Sequence, residues 1–80
     1  MNCYHLQYFS LLGDFTKKSS EALNSEAQSP EELYAEIEQI YSFSYDKDKF
    51  RVAINDEFSD WNTALNDGDR IVFIPPVAGG

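Results

Sequence analysis

Residues 66–80 of this chain read NDGDRIVFIPPVAGG. Asn66 to Asp69 are residue types that favour a turn, and the β-branched and aromatic residues between Arg70 and Ile74 favour a strand. Pro75 ends that strand, because its ring nitrogen has no hydrogen to donate to a neighbouring strand. The stretch therefore predicts a strand that leads directly into a tail of proline, glycine and small residues.

Alternation along a strand assigns its side chains to two faces. In the last strand we expect Ile71 and Phe73 to face the core and Val72 and Ile74 to face the other way. The first residues of the chain alternate in the same manner, and the side chains expected to face the core there are those of Tyr4, Leu6 and Tyr8.

Three further segments extend the predicted sheet. Phe50 to Ile54 alternate as a third strand, and a turn separates them from a short strand at Phe58-Ser59. Glu21 to Ala27 contain one large apolar residue, Leu23, and predict a half-exposed strand beside the first.

Two helices are predicted between these strands. Ser10 is the expected N-cap of a short helix that carries Leu11, Leu12 and Phe15. The main helix starts at Pro30, because Ser29 can cap it and Glu32 completes a capping box. Its apolar stripe is expected to contain Leu33, Ile37, Ile40 and Tyr41.

The order of these elements predicts an α+β roll. We expect a mixed sheet of four to five strands, with the main helix and the shorter one packed on one face. The uncovered face would expose an apolar strip formed by Phe9, Ala53, Val72 and Ile74, a feature typical of docking surfaces. Acidic residues are expected to surround the strip and to meet a basic rim on a partner.

The composition excludes several classes of function. Eighty residues form one domain with a small core. The balance of 6 Lys+Arg against 14 Asp+Glu gives a net charge of −8, which repels nucleic acid. The only cysteine, Cys3, and the only histidine, His5, supply neither a disulfide framework nor a metal cluster. The sequence shows no export signal and no membrane-spanning run, so we expect a cytoplasmic protein without a membrane partner.

The sequence contains no catalytic constellation, so we expect the chain not to be an enzyme by itself. The reactive group that it favours is the α-carboxylate of Gly80, which follows Gly79 in a backbone without side chains. A carboxylate is a poor electrophile at pH 7 until its oxygen becomes a good leaving group, so a separate enzyme must activate it. Residues after Val77 are expected to be mobile until a partner binds.

The end of the chain resembles a known family. Residues 65–80, together with Tyr8-Phe9-Ser10 and Val52-Ala53-Ile54-Asn55, resemble the small, sulfur-carrier subunit of molybdopterin synthase, the MoaD family. The resemblance implies a β-grasp, ubiquitin-like fold over residues 1–80, in which residues 75–80 form a flexible Gly-Gly tail. Ile74 stands where some members of the family have a second aromatic residue.

The resemblance also implies a role in molybdenum cofactor (molybdopterin) biosynthesis. An E1-like adenylyltransferase would use ATP to adenylate Gly80, and sulfur would then convert the adenylate to a thiocarboxylate. The large subunit of molybdopterin synthase would use this group to add sulfur to cyclic pyranopterin monophosphate. No cofactor is expected to stay bound to the chain itself. Gly79 and Gly80 would take part in the chemistry, and the partners would contact Phe9, Val72, Ile74, Pro75, Pro76, Val77 and Ala78.

Two alternatives to the molybdopterin role stay open. A thiamine-type sulfur carrier would share Asp67-Gly68-Asp69 and the Gly-Gly end. A ubiquitin-like modifier or adaptor would use the same tail to form isopeptide bonds or to dock.

Overall fold

A five-stranded mixed sheet dominates the computed structural model of the chain, which describes residues 1–9 and 11–75. The strands are β1 (Asn2–Tyr8), β2 (Ser20–Ser25), β3 (Arg51–Ile54), β4 (Glu57–Ser59) and β5 (Arg70–Ile74). Their order across the sheet is β2-β1-β5-β3-β4, with β5 parallel to β1 and the other neighbouring pairs antiparallel. The last strand of the chain is therefore the middle strand of the sheet and is hydrogen-bonded on both sides.

The helices confirm the predicted α+β roll. They are α1 (Leu11–Thr16) and α2 (Pro30–Tyr41), and a short 3₁₀ helix covers Lys47–Lys49. No helix in the part of the chain that the structure describes is long and apolar enough to cross a membrane. The expected N-cap of α1, Ser10, lies outside the described residues.

The main helix begins where the sequence predicts. The Ser29 hydroxyl accepts a hydrogen bond from the backbone N–H of Glu32 at 3.3 Å. The Glu32 carboxylate accepts from the N–H of Gln28 at 2.8 Å, one residue before the N–H that a capping box uses. The cap therefore forms, with its second hydrogen bond displaced by one residue.

The predicted apolar stripe of α2 is only partly correct. Leu33 and Ile37 are fully buried, whereas Ile40 is 48% exposed. Tyr34 is buried instead, because its ring packs edge-on against Trp61 and Phe73. These aromatic contacts turn the helix so that the Tyr34 side, and not the Ile40 side, faces the sheet.

The turn before β5 ties the start of that strand to β1. Gly68 has a φ of 87°, a left-handed conformation that glycine adopts without a steric cost. Its N–H donates to the Cys3 carbonyl at 2.8 Å, and the Asp67 carboxylate accepts from the Cys3 N–H at 2.7 Å. The turn thus holds the two parallel strands together at the end of the sheet remote from the tail.

Candidate functional site

The sheet has one face covered by helices and one face left open. On the covered face Ile71 and Phe73 are 0% exposed, which confirms the predicted orientation of β5. The strand register places a second set of side chains on the other side, here called the open face. Within the strands these are Cys3, His5, Gln7, Ser20, Ala22, Asn24, Arg51, Ala53, Phe58, Arg70, Val72 and Ile74.

A shallow hollow of about 270 Å³ lies on the open face, and we call it the apolar depression. Its walls include the rings of Phe9 and Phe58, which are 43% and 67% exposed. Ala53 and Val72 form its floor and are only 7% and 8% exposed. The remaining lining residues are Gln7, Asp56 and Ile74.

The predicted apolar strip therefore exists, but its middle is less exposed than the sequence suggests. Val72 is paired with Gln7 on one side and with Ala53 on the other, and Phe58 lies beyond Ala53. Side chains at neighbouring positions across a sheet cover one another, so a small residue in the middle strands loses most of its contact with water. The accessible apolar surface is supplied mainly by the two phenylalanine rings and by half-buried Ile74.

The structure brings together part of the predicted partner-binding set. Phe9, Val72 and Ile74 line the apolar depression, and half-buried Pro75 follows Ile74 at its edge. The other predicted site residues are Pro76, Val77, Ala78, Gly79 and Gly80, and they lie outside the described residues. The depression thus adjoins the point at which the chain leaves the sheet.

The predicted set lacks several residues of this surface, among them Gln7, Asp56, Phe58 and Arg51. Phe58 is paired with Ala53, and the guanidinium carbon of Arg51 lies 5.4 Å from the centre of the Phe58 ring. The sequence carries a signal for Phe58, because a two-residue turn at Asn55-Asp56 fixes the register of the following strand. That register places Phe58 on the same face as Ala53.

The charges around the depression differ from the expectation. Both arginines of the chain, Arg51 and Arg70, belong to the open face, and within the described strands that face has no acidic residue. The carboxylate of Asp56, in the turn between β3 and β4, lines the depression and is paired with Arg70. The described strands of the open face therefore do not supply the expected acidic residues, and the acid that lines the depression is Asp56 of the turn. Four of the 14 acidic residues of the chain lie on α2, namely Glu31, Glu32, Glu36 and Glu38.

A cluster of titratable groups lies on the covered side of the sheet. The Glu21 carboxylate accepts a hydrogen bond from the Tyr41 hydroxyl at 2.6 Å and another from the Tyr8 hydroxyl. It also accepts one from the Lys18 ammonium at 3.2 Å. Burial alone would raise the pKa of Glu21, but these hydrogen bonds outweigh it and hold the pKa below its ordinary value. Burial and the bond to Glu21 raise the pKa of Tyr8 far above its usual range. The cluster joins β2 to β1 and α2, so its role is structural.

The lone histidine and the lone cysteine both belong to the open face. His5 is exposed and Cys3 is half-buried. In residues 1–9 and 11–75, no three His, Cys, Asp or Glu side chains are grouped so that they could hold a metal ion.

Comparison with known proteins identifies the fold. A sequence model of the ThiS family matches residues 6–80 of the chain. Among curated proteins, none matches the sequence significantly.

Solved structures resemble the chain over nearly its whole length. A putative molybdopterin converting factor subunit 1 from Pyrococcus furiosus is 24% identical with a TM-score of 0.78, over 96% of this chain and 100% of that one. Subunit 1 of the Helicobacter pylori molybdopterin-converting factor, solved in complex with subunit 2, is 28% identical with a TM-score of 0.68, over 98% of this chain and 99% of that one. The small archaeal modifier protein 1 of Haloferax volcanii is 15% identical with a TM-score of 0.79, over 96% and 100%. The expected β-grasp, ubiquitin-like fold and the resemblance to the MoaD family are both confirmed.

Proposed function

The chain belongs to the ThiS family, and on this premise we propose that it is the sulfur carrier of molybdopterin biosynthesis. The observation that carries the proposal is the apolar depression beside the end of β5. Ile74 is the last residue of that middle strand and also lines the depression, so a protein that binds the start of the tail is brought close to the depression. The 28% identical Helicobacter pylori protein, solved with a second subunit, supports a protein partner of this kind.

The proposed chemistry takes place on the carboxylate of Gly80. A carboxylate oxygen attacks the α-phosphorus of ATP, and pyrophosphate leaves as the acyl-adenylate forms. The outer sulfur of a donor persulfide then attacks the carbonyl carbon, and adenosine monophosphate leaves as an acyl disulfide forms. A thiol of the donor reduces the S–S bond of this acyl disulfide, which releases the thiocarboxylate and leaves a disulfide on the donor. In the last step this sulfur attacks a carbon of the pterin precursor and displaces an oxygen substituent, which forms a thioester. Hydrolysis of the C(=O)–S bond of that thioester leaves the sulfur on the pterin and returns the carboxylate of Gly80. ATP and the pterin precursor bind to the partner enzymes, an E1-like adenylyltransferase and the synthase large subunit, which we expect in the cytoplasm.

The chain itself contributes position and recognition. β5 is hydrogen-bonded to β1 and to β3, so the start of the tail is held by two strands. Pro75 cannot donate a backbone hydrogen bond and therefore does not extend the ladder. Gly79 and Gly80 have no side chains, which suits a backbone that must enter a narrow active site. The partners supply the acid and base groups, and the chain is not an enzyme by itself.

Intact-mass analysis of the protein tests the proposal. The chain is purified from cells that contain the complete pathway, and we expect a fraction heavier by the exchange of one oxygen for one sulfur. A variant without Gly80 is the control and should retain the fold without gaining the mass. A Gly80-deleted variant that still restores molybdopterin synthesis in cells lacking the native subunit would overturn the proposal.

Complementation and adduct analysis in the same cells distinguish the alternative functions. A thiocarboxylate that forms without restoring molybdopterin, but restores thiamine synthesis, would identify a thiamine-type carrier. Lysine-linked adducts of the chain in the lysate, dependent on Gly80, would identify a protein modifier. Restored molybdopterin together with the thiocarboxylate supports the proposed role.

A further inference from the structure

The open face differs in charge from the molecule as a whole. The chain has a net charge of −8, yet the strand residues of this face include two arginines and no acid. Both arginines belong to this one surface, whereas the four glutamates of α2 belong to the helical layer. A partner that docks on the open face therefore meets the Arg51 guanidinium, and the Arg70 guanidinium beside the Asp56 carboxylate, despite the acidic balance of the chain.

Arg51 is held in place next to the apolar depression. Its guanidinium carbon lies 5.4 Å from the centre of the Phe58 ring, and its strand position is paired with Ile74. Packing against an aromatic face restricts a long side chain before binding, which lowers the entropy cost of using it. Among the described residues, no carboxylate lies within ion-pair distance of Arg51. Its N–H donors are thus available for a carboxylate supplied from outside.

Arg70 lies at the other end of β5. It lies four residues before Ile74, the residue paired with Arg51, which corresponds to about 13 Å along the strand. Its present partner is the exposed carboxylate of Asp56. An exposed ion pair contributes little stability, so a second carboxylate can compete for Arg70 at small cost.

We propose that the protein partner of the open face carries carboxylates on two sides of an apolar patch. The patch fills the apolar depression, one carboxylate pairs with Arg51 beside the tail, and another pairs with Arg70 about 13 Å away. Two charge contacts at unequal distances from the tail fix the direction in which the partner lies on the sheet. The identity of that partner as a synthase large subunit or an adenylyltransferase rests on the proposed function.

A nucleic acid fits this surface poorly. The arginines are separated by apolar side chains, and the acidic remainder of the chain repels a phosphate backbone over several ångströms. A protein surface can present an apolar patch between its carboxylates, which a phosphate backbone cannot.

Titration calorimetry with the large subunit from the same genome tests the inference, and the adenylyltransferase is titrated in parallel. Arg51→Gln and Arg70→Gln each remove one charge, and each is expected to weaken binding about tenfold. Gln39→Glu is the matched control, since it makes the same change in net charge at an exposed position of α2. We expect this variant to bind within about twofold of the wild type.

The salt dependence of binding distinguishes a lost ion pair from a general disturbance of the open face by the substitution. Added salt screens ion pairs, so the difference between the wild type and an Arg51→Gln/Arg70→Gln double variant should shrink as salt is raised. A difference in affinity that does not change with salt overturns the inference. Arginine variants that bind as tightly as the wild type also overturn it, as does a Gln39→Glu variant that binds as weakly as the arginine variants. Arginine-dependent binding of a single-stranded oligonucleotide would also overturn it.

Absence of wild-type binding to both partners overturns the inference as well. The proposed function is then decided separately by the intact mass of the Gly80 thiocarboxylate. A chain that carries sulfur and binds its partners without using the arginines would retain the function and lose only this inference.

Discussion

Phe73 and Ile74 are consecutive residues of β5 whose side chains lie on opposite faces of the sheet. The Phe73 ring is fully buried and stacks on Trp61, with ring centres 5.5 Å apart and planes inclined by 9°. The Ile74 side chain lines the apolar depression on the open face. One strand therefore joins the core to the apolar depression, and substitutions at its two neighbouring positions should have different consequences.

Truncation of Phe73 should destabilise the fold. Phe73→Ala removes a fully buried ring that also contacts Tyr34, and the expected loss is about 3–5 kcal/mol of unfolding free energy. Ile74→Ala should cost less, because its side chain keeps contact with water. Urea unfolding followed by circular dichroism measures both variants. A larger loss of stability for Ile74→Ala would contradict the assignment of the faces.

Polar substitution of Ile74 should weaken partner binding without unfolding the protein. Ile74→Asp places a charge beside the apolar depression, and we expect the dissociation constant for the synthase large subunit to rise by about tenfold or more. The matched control is Ile40→Asp, because Ile40 is an exposed isoleucine on α2, outside the open face. Equal loss of binding in both variants would show that the effect is not local to the depression.

The turn between β3 and β4 should depend on Asn55 more than on Asp56. Asn55 has a φ of 52° and hydrogen-bonds through its side chain to the Asp69 carboxylate and to the Arg70 N–H, each at 2.9 Å. Asn55→Ala loses both bonds and places alanine in a left-handed conformation, so we expect a loss of about 2–4 kcal/mol.

Asp56→Gly provides the comparison for Asn55→Ala. Asp56 has a φ of 73°, which glycine adopts at no steric cost, and its ion pair with Arg70 is exposed. We expect the unfolding free energy of Asp56→Gly to remain within about 1 kcal/mol of the wild type. Thermal melts compare the two variants with the wild type. A larger loss of stability in Asp56→Gly than in Asn55→Ala would contradict the prediction.

The Glu21 cluster should make stability depend on acid pH. The pKa of Glu21 in the folded state is held below its ordinary value of 4.5. The ionised carboxylate therefore stabilises the fold fully above pH 4.5, and this contribution is lost as the pH falls through the pKa of the folded state. Glu21→Gln removes the charge, and we expect it to cost about 1–2 kcal/mol at pH 7. The difference from the wild type should shrink below pH 4.5. Chemical denaturation across pH measures it, with exposed Glu26→Gln as the control.

Local patterns in the sequence predict most of the architecture. Period-two alternation correctly places Tyr4, Leu6 and Tyr8 on the core side of β1, as it does Ile71 and Phe73 in β5. The cap at Ser29 correctly predicts the start of α2. These features depend on neighbouring residues in the chain, for which sequence spacing is enough.

Other features require contacts between residues distant in sequence. Tyr34 is buried in place of Ile40 because Trp61 and Phe73 lie beside it, and periodicity alone does not reveal those neighbours. Val72 and Ala53 are buried on the open face because strand order places them side by side.

The composition of the tail and the charge of the open face could be predicted from the sequence to different degrees. The sequence by itself determined that the chain ends in two glycines, that a proline follows β5 and that the net charge is −8. Only the tertiary structure decided that Arg51 and Arg70 share one face while the α2 glutamates belong to another layer. Net charge is a sum over the chain and carries no direction, whereas a binding surface depends on which charges the fold places side by side.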